Sequence, residues 1–441
     1  MTFVLRRDAL SWGRVVRAPQ LVASPRFRED LFGLVVARPG GTVLPVGLRR
    51  SYGDTVLNSE GGVIEMTGLD RFKAIDLASG TLRAEAGVTL GGIMERIIPH
   101  GFFVPVTPGT RFVTLGGAIA NDVHGKNHHH AGTFGRHVLR LGLLRSDGTR
   151  VEIGPERNSD LFVATVGGLG LTGIIEWAEI KLQPIKSSQL DVEILPYGVL
   201  SEFWHLAEES NATHEHTVAW IDHTAKGRRS GRGIFSRANW SIEGGLVTHR
   251  NRRPPAGRIE VPSGLVNRVS VSLFNRLYYA AQSRTARVQR QHYASFFHPL
   301  DGILSWYGLY GHRGFWQYQC VVPSTTMKDA IAAILAEIGR SNQGSFLAVL
   351  KTCGDFASPG LLSFPMEGAT LAVDFPNRAD QTLQLFSRLD AIVREAKGRL
   401  YAAKDGRIPK DMWVAGYPNL ESFMTHIDPA FASDFWRRLA L

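Results

Sequence analysis

Cysteine is almost missing from this chain: its 441 residues contain two, Cys320 and Cys353, with no CxxC pair. That scarcity excludes a disulfide framework and paired-cysteine zinc sites, and leaves two reduced, packed thiols as the expectation. Long apolar runs are missing too. None reaches the roughly 18 residues a membrane span needs. The opening MTFVLRRDALSWGRVV lacks the apolar core and small-residue cleavage site of a secretory signal. A cytoplasmic protein is expected, with any membrane contact peripheral, at the inner face. HExxH is absent, and no carboxylate stands at ligand spacing beside His124, His128, His129 and His130, so no metal is expected. Acidic residues are outnumbered: 50 Lys and Arg against 40 Asp and Glu give a formal charge of +10. Such a surplus suits an anionic partner: a phosphorylated substrate, an acidic lipid or a nucleic acid. Much of it lies in residues 226–258, a candidate basic flap. The flap has too few aromatics for a nucleic-acid stacking platform, so no nucleic acid is expected. Contact with a membrane surface and a plain solvated loop both remain open for it.

With 44% hydrophobic and 20% charged residues the chain reads as globular, and its length exceeds one ordinary core. Two domains of α+β class are expected. The first, residues 1–185, strings short strands (TVLPVG, GVIEM, TLRAEAG, VLRLGLLRSDGTRVEI) between Gly and Asp-Gly turns, with a helix, LGGIMERIIPH, closed by Gly101, and LFVATVGGLGLTGIIEWAEIKLQP going from helix through a glycine turn to a strand. The second, residues 186–398, alternates QLDVEILP, HTVAWIDHT, FWQYQCVVP, SFLAVLKTCG and ATLAVDFP with two amphipathic helices, which predicts a helix-backed antiparallel sheet interrupted by the flap. The tail, residues 399–441, leaves the sheet pattern and is expected to complete the first domain. Gly168-x-Gly170-x-x-Gly173 matches the dinucleotide fingerprint formally, but a strand follows it where a helix is required, so a Rossmann domain is rejected.

The run Pro108 to His137, PGTRFVTLGGAIANDVHGKNHHHAGTFGRH, is the most informative stretch. Gly109, Gly116 and Gly117 let main chain approach a diphosphate closely, and their amides are expected to be free to bind it as a nest does. His124 and Lys126 follow, placed to face a reacting centre. A second loop, VGLRRSYGDT (Val46 to Thr55), follows a strand and again combines glycine, hydroxyl and aspartate. Two such loops can embrace one diphosphate from both sides.

These two loops and VGGLGLTGII together resemble the PCMH-type flavin domain of the vanillyl-alcohol oxidase superfamily. FFHPLD, FWQYQCVVP, SFLAVLK, LSFP, AVDFP, GRLYAAKDGR and DPAFASDFWRRL extend the resemblance over nearly the whole chain. Within the superfamily they resemble the decaprenylphosphoryl-ribose 2′-oxidases. The resemblance implies FAD gripped by Pro45, Val46, Gly47, Leu48, Arg49, Arg50, Ser51, Tyr52, Gly53, Asp54 and Thr55 of one loop. From the other it implies Gly109, Thr114, Leu115, Gly116, Gly117, Asn121, Asp122, Val123 and His124, with main chain near Ile175 and Tyr401 closing over the cofactor. The first loop holds no histidine or cysteine, so the FAD is expected to be noncovalent.

The activity implied is oxidation of a sugar secondary alcohol to a ketone, at the 2′-OH of a polyprenyl-phosphoryl-β-D-ribose. An NADH-dependent short-chain reductase would then complete an epimerisation to the arabinose donor. The protein's part is to orient and deprotonate the alcohol. The resemblance makes Lys404 the expected base or hydroxyl-orienting group, with His124 and Tyr52 beside it. A lysine base needs a depressed pKa, and Lys126 or Lys351 would supply the cation that depresses it or bind the substrate phosphate. Gln319 is expected to line the sugar and Trp220 the lipid-sugar pocket. Phe297, Thr370 and Ala372 replace a tyrosine, an asparagine and a cysteine of that pocket. Read without the resemblance, Lys404-Asp405 is an exposed turn pair, Lys126 a solvated charge, Gln319 a backbone-bonding strand residue and Trp220 core. Two rival functions stand beside this one: an FAD-dependent alditol or sugar-lactone oxidase of small soluble polyols, and a nonenzymatic basic module binding nucleic acid or membrane.

Overall fold

Alternation along Phe315–Pro323 and Gly368–Pro376 sends successive side chains to opposite faces of a sheet. Tyr318, Cys320 and Val322 point one way with Leu371, Val373 and Phe375, into the largest apolar core. Gln317 and Gln319 point the other way, opposite Asp374 and Ala372. The same division runs through Ala348–Cys353, where Leu350 joins the core and Lys351 pairs with Thr370 on the polar face. These strands belong to an eight-stranded antiparallel sheet of order Arg287–His292, Gln189–Tyr197, Gly233–Trp240, His216–Ile221, Ala348–Cys353, Gly368–Pro376, Phe315–Pro323, Arg399–Leu400. Met327–Ser341 and Asp380–Glu395 back its apolar face through Ile331, Ile334, Ile338, Leu385, Phe386 and Leu389. The helix-backed sheet is as expected. The computed structural model describes residues 2–225, 227–249, 266–283, 287–302, 306–344 and 346–439.

The flap expectation needs correction. Gly233–Trp240 lies inside the sheet, between Gln189–Tyr197 and His216–Ile221. Its arginine is not a surface charge awaiting a membrane: Arg237 pairs with Glu193 on the neighbouring strand at 2.7 Å, and Arg232 with Asp222 at 2.8 Å. Arginines at strand positions hid the period-2 pattern. Residue 226 and residues 250–258 of the flap lie outside the described residues.

The chain up to Lys181 builds two smaller sheets. One has four strands, with Gln20–Ala23, Gly62–Glu65 and Val43–Val46 parallel; the other has five antiparallel strands, Phe72–Asp76, Thr81–Glu85, Ile174–Lys181, Val138–Leu144 and Arg150–Ile153. The tail first adds Arg399–Leu400 to the large sheet's edge and then runs back against the first loop. The amide of Tyr52 donates to Ala403 at 2.9 Å and that of Val43 to Ala430 at 2.8 Å. Arg438 grips Asp54 at 2.8 and 3.3 Å. No helix among the described residues is long and apolar enough to cross a membrane.

Gly53 and Gly406 meet backbone to backbone where the tail crosses the first loop, and a Cβ on Gly53 would overlap Gly406 N and Cα. Gly53→Ala should therefore cost about 1–3 kcal/mol of stability, read as a lower midpoint of thermal unfolding, whereas Gly33→Ala, with open space around it, should not lower it.

Candidate active site

The polar face of the large sheet lies against the loops of the first part of the chain, and the tail closes it. Tyr401 donates its amide to Gln319 O at 3.0 Å, and Lys404 and Asp405 donate theirs to Tyr401 O at 2.9 and 3.2 Å. This turn delivers Lys404 Nζ to 4.3 Å from the centre of the Tyr52 ring. Lys404 is half-buried, not an exposed turn residue. Burial pulls its pKa down to about 8, with Asp374 opposing and Lys351 assisting. Of the two candidate neighbouring cations, Lys351 acts on Lys404. Lys351 is itself lowered to about 8 by burial, and donates to Gly125 O at 2.7 Å. Lys126 turns instead to Phe296, donating to its carbonyl and lying 4.3 Å from its ring; burial, then Lys351, lowers it to about 7.

Two hydrogen-bonded groups flank the lysine. In one, Gln317 Nε2 donates to Asp374 Oδ1 at 2.6 Å and to Tyr52 OH at 3.3 Å, while Tyr310 OH donates to Asp374 Oδ2 at 3.4 Å. Burial and the Asp374 charge push the Tyr52 phenol well above its ordinary pKa, so it stays protonated. In the other, Gln319 Nε2 lies 3.2 Å from His124 Nε2 and 3.3 Å from Thr370 Oγ1. Burial, with Lys351 adding, drives His124 well below its usual pKa, so the ring is neutral. With the Gln319 amide donating to Nε2, the imidazole proton sits on Nδ1. Phe364 and Tyr401 stack at 4.4 Å and pack against His124 at 5.6 and 5.5 Å. Gln317, Asp374, Tyr310 and Phe364 were missed from sequence. The discoverable signals were a glutamine two residues before Gln319 and a carboxylate inside the apolar strand ATLAVDFP.

Other expected residues fall differently. Thr370 and Ala372 share this face, opposite Lys351 and Gln319. Trp220 is on the same face, two strands away opposite Val349; its Nε1 donates to Phe346 O at 3.1 Å and its ring meets Tyr278 edge-on. Phe297 is not with them. It is 3% exposed and packed among Phe103, His216 and Trp240, so the pocket-lining role expected of it is replaced by a core one.

The two glycine-bearing loops do meet. A Cβ on Gly47 would collide with the Thr114 hydroxyl, and one on Gly116 would lie 2.9 Å from Ala86 Cβ. The expected nest of free amides does not hold on the second loop. Leu115 and Gly116 donate to Val88 O and Ala86 O, both at 2.8 Å, and Gly117 to Thr114 Oγ1 at 3.2 Å. These glycines secure close packing rather than spare donors, and Gly109 has open space around it. Two aspartates of the loops act as struts. Asp54 is held by Arg438, and Asp122, raised to about 6 by burial, accepts from Gly135 N at 2.8 Å and from Ser363 Oγ. Arg49 sits at φ +54 with its guanidinium 3.7 Å from Glu65, and Arg50 stacks over Trp12 at 4.5 Å. Tyr401 OH donates to Asn121 O at 3.1 Å, fastening tail to loop. Val123 and Ile175 are buried.

A polar cofactor fits between these loops. Thr55 Oγ1, Asn121 Oδ1 and His124 Nδ1 are buried polar atoms without hydrogen-bond partners in the protein, and buried polar atoms are normally satisfied. Cys320 and Cys353 are separate buried thiols, and among the described residues no three His, Cys, Asp or Glu side chains gather in a way that could hold a metal.

Comparison with known proteins accounts for this cleft. Residues 19–154 match the model of an FAD binding domain. Decaprenylphosphoryl-β-D-ribose oxidase of Mycolicibacterium smegmatis is 38% identical over 451 aligned positions, covering 98% of this chain and 97% of that one. An uncharacterised protein of Streptomyces coelicolor is 33% identical over 374 positions, 80% of this chain and 100% of its own. Mouse L-gulonolactone oxidase is 28% identical over 126 positions, 29% of this chain and 28% of its own. Paired loops, a polar sheet face closed by a lysine-bearing tail, and likeness from end to end lead to one conclusion: the chain belongs to the decaprenylphosphoryl-β-D-ribose oxidase family of FAD-dependent oxidoreductases.

Proposed function

We propose that this chain oxidises the 2′-hydroxyl of a polyprenyl-phosphoryl-β-D-ribose to a ketone with noncovalently bound FAD. The observation that carries the reading is Lys404, a half-buried amine held near pKa 8 beside Tyr52, on the face that also bears His124 and Gln319. An amine so tuned is a competent base near neutral pH. Bound FAD supplies the hydride acceptor. The neutral amine of Lys404 takes the hydroxyl proton. Asp374, held by Gln317 and Tyr310, fixes the ring of Tyr52 under that amine through Gln317. His124 Nδ1–H and the Gln319 amide orient the sugar hydroxyls, and the Tyr401–Phe364 stack keeps water from their side of the cleft. Lys126 and Lys351 are the cations available for the substrate phosphate.

The ketone would be consumed by an NADH-dependent short-chain reductase, completing the epimerisation. Contact with the membrane that holds a polyprenyl substrate is part of this reading, and the exposed stripe of Val269, Leu273 and Leu277 on Arg268–Gln282, 76%, 55% and 63% exposed, supports it better than the flap. The sugar-lactone oxidase rival rests on a likeness over 29% of the chain. A nonenzymatic basic module leaves the buried lysine cluster without a purpose.

Acid precipitation of the yellow holoprotein should leave its flavin in the supernatant; colour retained in the pellet refutes noncovalent binding. Lys404→Ala should bind FAD normally yet lose about 10²–10⁴-fold in the single-turnover rate of flavin bleaching by polyprenyl-phosphoryl ribose, and a variant bleaching at the normal rate removes Lys404 from the chemistry. Because the base must be unprotonated, that rate should climb with pH and level off above about 8. Removing the like charge in Lys351→Met should let Lys404 keep its proton to higher pH and shift the profile upward; a downward shift contradicts the assignment.

A further inference from the structure

Where His216–Ile221 runs out, Asp222 and His223 turn between the helices Arg268–Gln282 and Met327–Ser341 and line a cavity of about 640 Å³. Lys404, Tyr52, His124 and Gln319 take no part in it. Among the described residues four arginines reach it, Arg229, Arg232, Arg268 and Arg276, against a single carboxylate, Asp222. Asp222 is already saturated. It accepts from Arg232 Nε and a terminal nitrogen at 3.0 and 2.8 Å, from Asn275 at 2.9 Å and from Thr224 Oγ1 at 2.6 Å. That arrangement fixes one guanidinium and leaves three, none of which forms an ion pair among the described residues.

The second observation is His223. It is 2% exposed, lines the cavity, and neither ring nitrogen has a hydrogen-bond partner. Burial lowers it to about 4, so the ring is neutral and offers one donor and one acceptor. Gly344, at φ +126, makes room for it, since a Cβ there would run into the imidazole. A buried imidazole left unsatisfied beside three unpaired guanidiniums is an expensive arrangement unless a ligand completes it. The volume is that of a small-molecule site and exceeds what a bare phosphate needs. Among the described residues no phenylalanine, tyrosine or tryptophan lines it, and these lack the broad stacking surface that a nucleobase uses. Guanidiniums grip phosphate oxygens in pairs of charge-assisted bonds.

We propose that this cavity binds a phosphorylated, non-aromatic ligand, a diphosphate or a sugar phosphate, through Arg229, Arg268 and Arg276 with His223 completing the contact. The inference stands independently of the reading of the flavin site. The same helix presents Tyr278 to Trp220 at 4.8 Å and Phe274 to Phe346 at 4.9 Å, so the ligand would sit one helix away from the reaction face.

The phosphate can be free or part of a lipid headgroup, and the test separates the two. FAD-loaded full-length protein is titrated calorimetrically with sodium diphosphate and with ribose 5-phosphate, and sedimented with phosphatidylcholine vesicles with and without phosphatidic acid. Saturable binding of either soluble ligand, weakened about tenfold or more in R268Q/R276Q, establishes a site for a free phosphate compound. Binding to phosphatidic acid vesicles alone, lost in the same variant, establishes a headgroup site. Arg229→Gln, on the separate turn, should weaken whichever binding is seen, and the flavin absorbance of each variant reports that it is folded. No binding of any probe, or binding that both variants leave unchanged, overturns the proposal.

Discussion

The polar face of the large sheet is closed by the tail crossing from the sheet's edge onto the first loop. One turn, Tyr401 to Asp405, bonds to Gln319 on one side and receives the Tyr52 amide on the other. Lys404, the ring of Tyr52 and the Gln319 amide that meets His124 are therefore tied to a single stretch of backbone. Since the Gly53–Gly406 contact leaves no slack, a displacement of either partner moves Lys404 relative to Tyr52. Misplacing reacting groups by an ångström is costly for catalysis, and this arrangement fixes the main chain from which the lysine side chain reaches the Tyr52 ring.

The electrostatic design is a balance held close to neutrality. Lys126, Lys351 and Lys404 crowd one cleft, and burial disfavours the charge on each. Asp374 prevents collapse of the Lys404 charge altogether, and it does so from a position occupied by hydrogen bonds from Gln317 and Tyr310. A carboxylate free to swing toward the amine would lock it as an ion pair; one tied to neutral donors only biases it. His124 is kept neutral chiefly by burial, with Lys351 and Lys404 adding to it, so the cleft combines an amine with a lowered pKa and an imidazole that does not take up a proton.

Much of this was legible in the residues. Strand alternation and helix spacing gave the antiparallel sheet and its backing helices, because burial on one face imposes period 2. The paired loops were visible as glycine and hydroxyl runs after strands. Lys404 was visible only through its resemblance: nothing in AKD says that the turn is sheltered, since the shelter comes from Tyr52, some 350 residues earlier in sequence. Gln317 and Asp374 form a partnership that depends on strand register, which a strand read singly does not contain. Gly233–Trp240 was hidden because Arg237 looked like surface charge, whereas its counter-ion waits on the adjoining strand. Phe297 was misplaced for the opposite reason, a motif position being taken for a pocket position. The second loop's amides were misjudged because their carbonyl partners, Ala86 and Val88, lie in a different segment.

The ion pair between Asp54 and Arg438 spans 384 residues of sequence. Synthesis runs from the amino end, so the first loop, although made early, meets its clasp only after Arg438 has been made. Loop closure over such a distance is slow relative to local pairing, and the nascent first sheet must wait, with its clasp open, while the entire large sheet is made. The clasp is consequently a late feature of folding, since Arg438 follows the last strand of the large sheet in sequence.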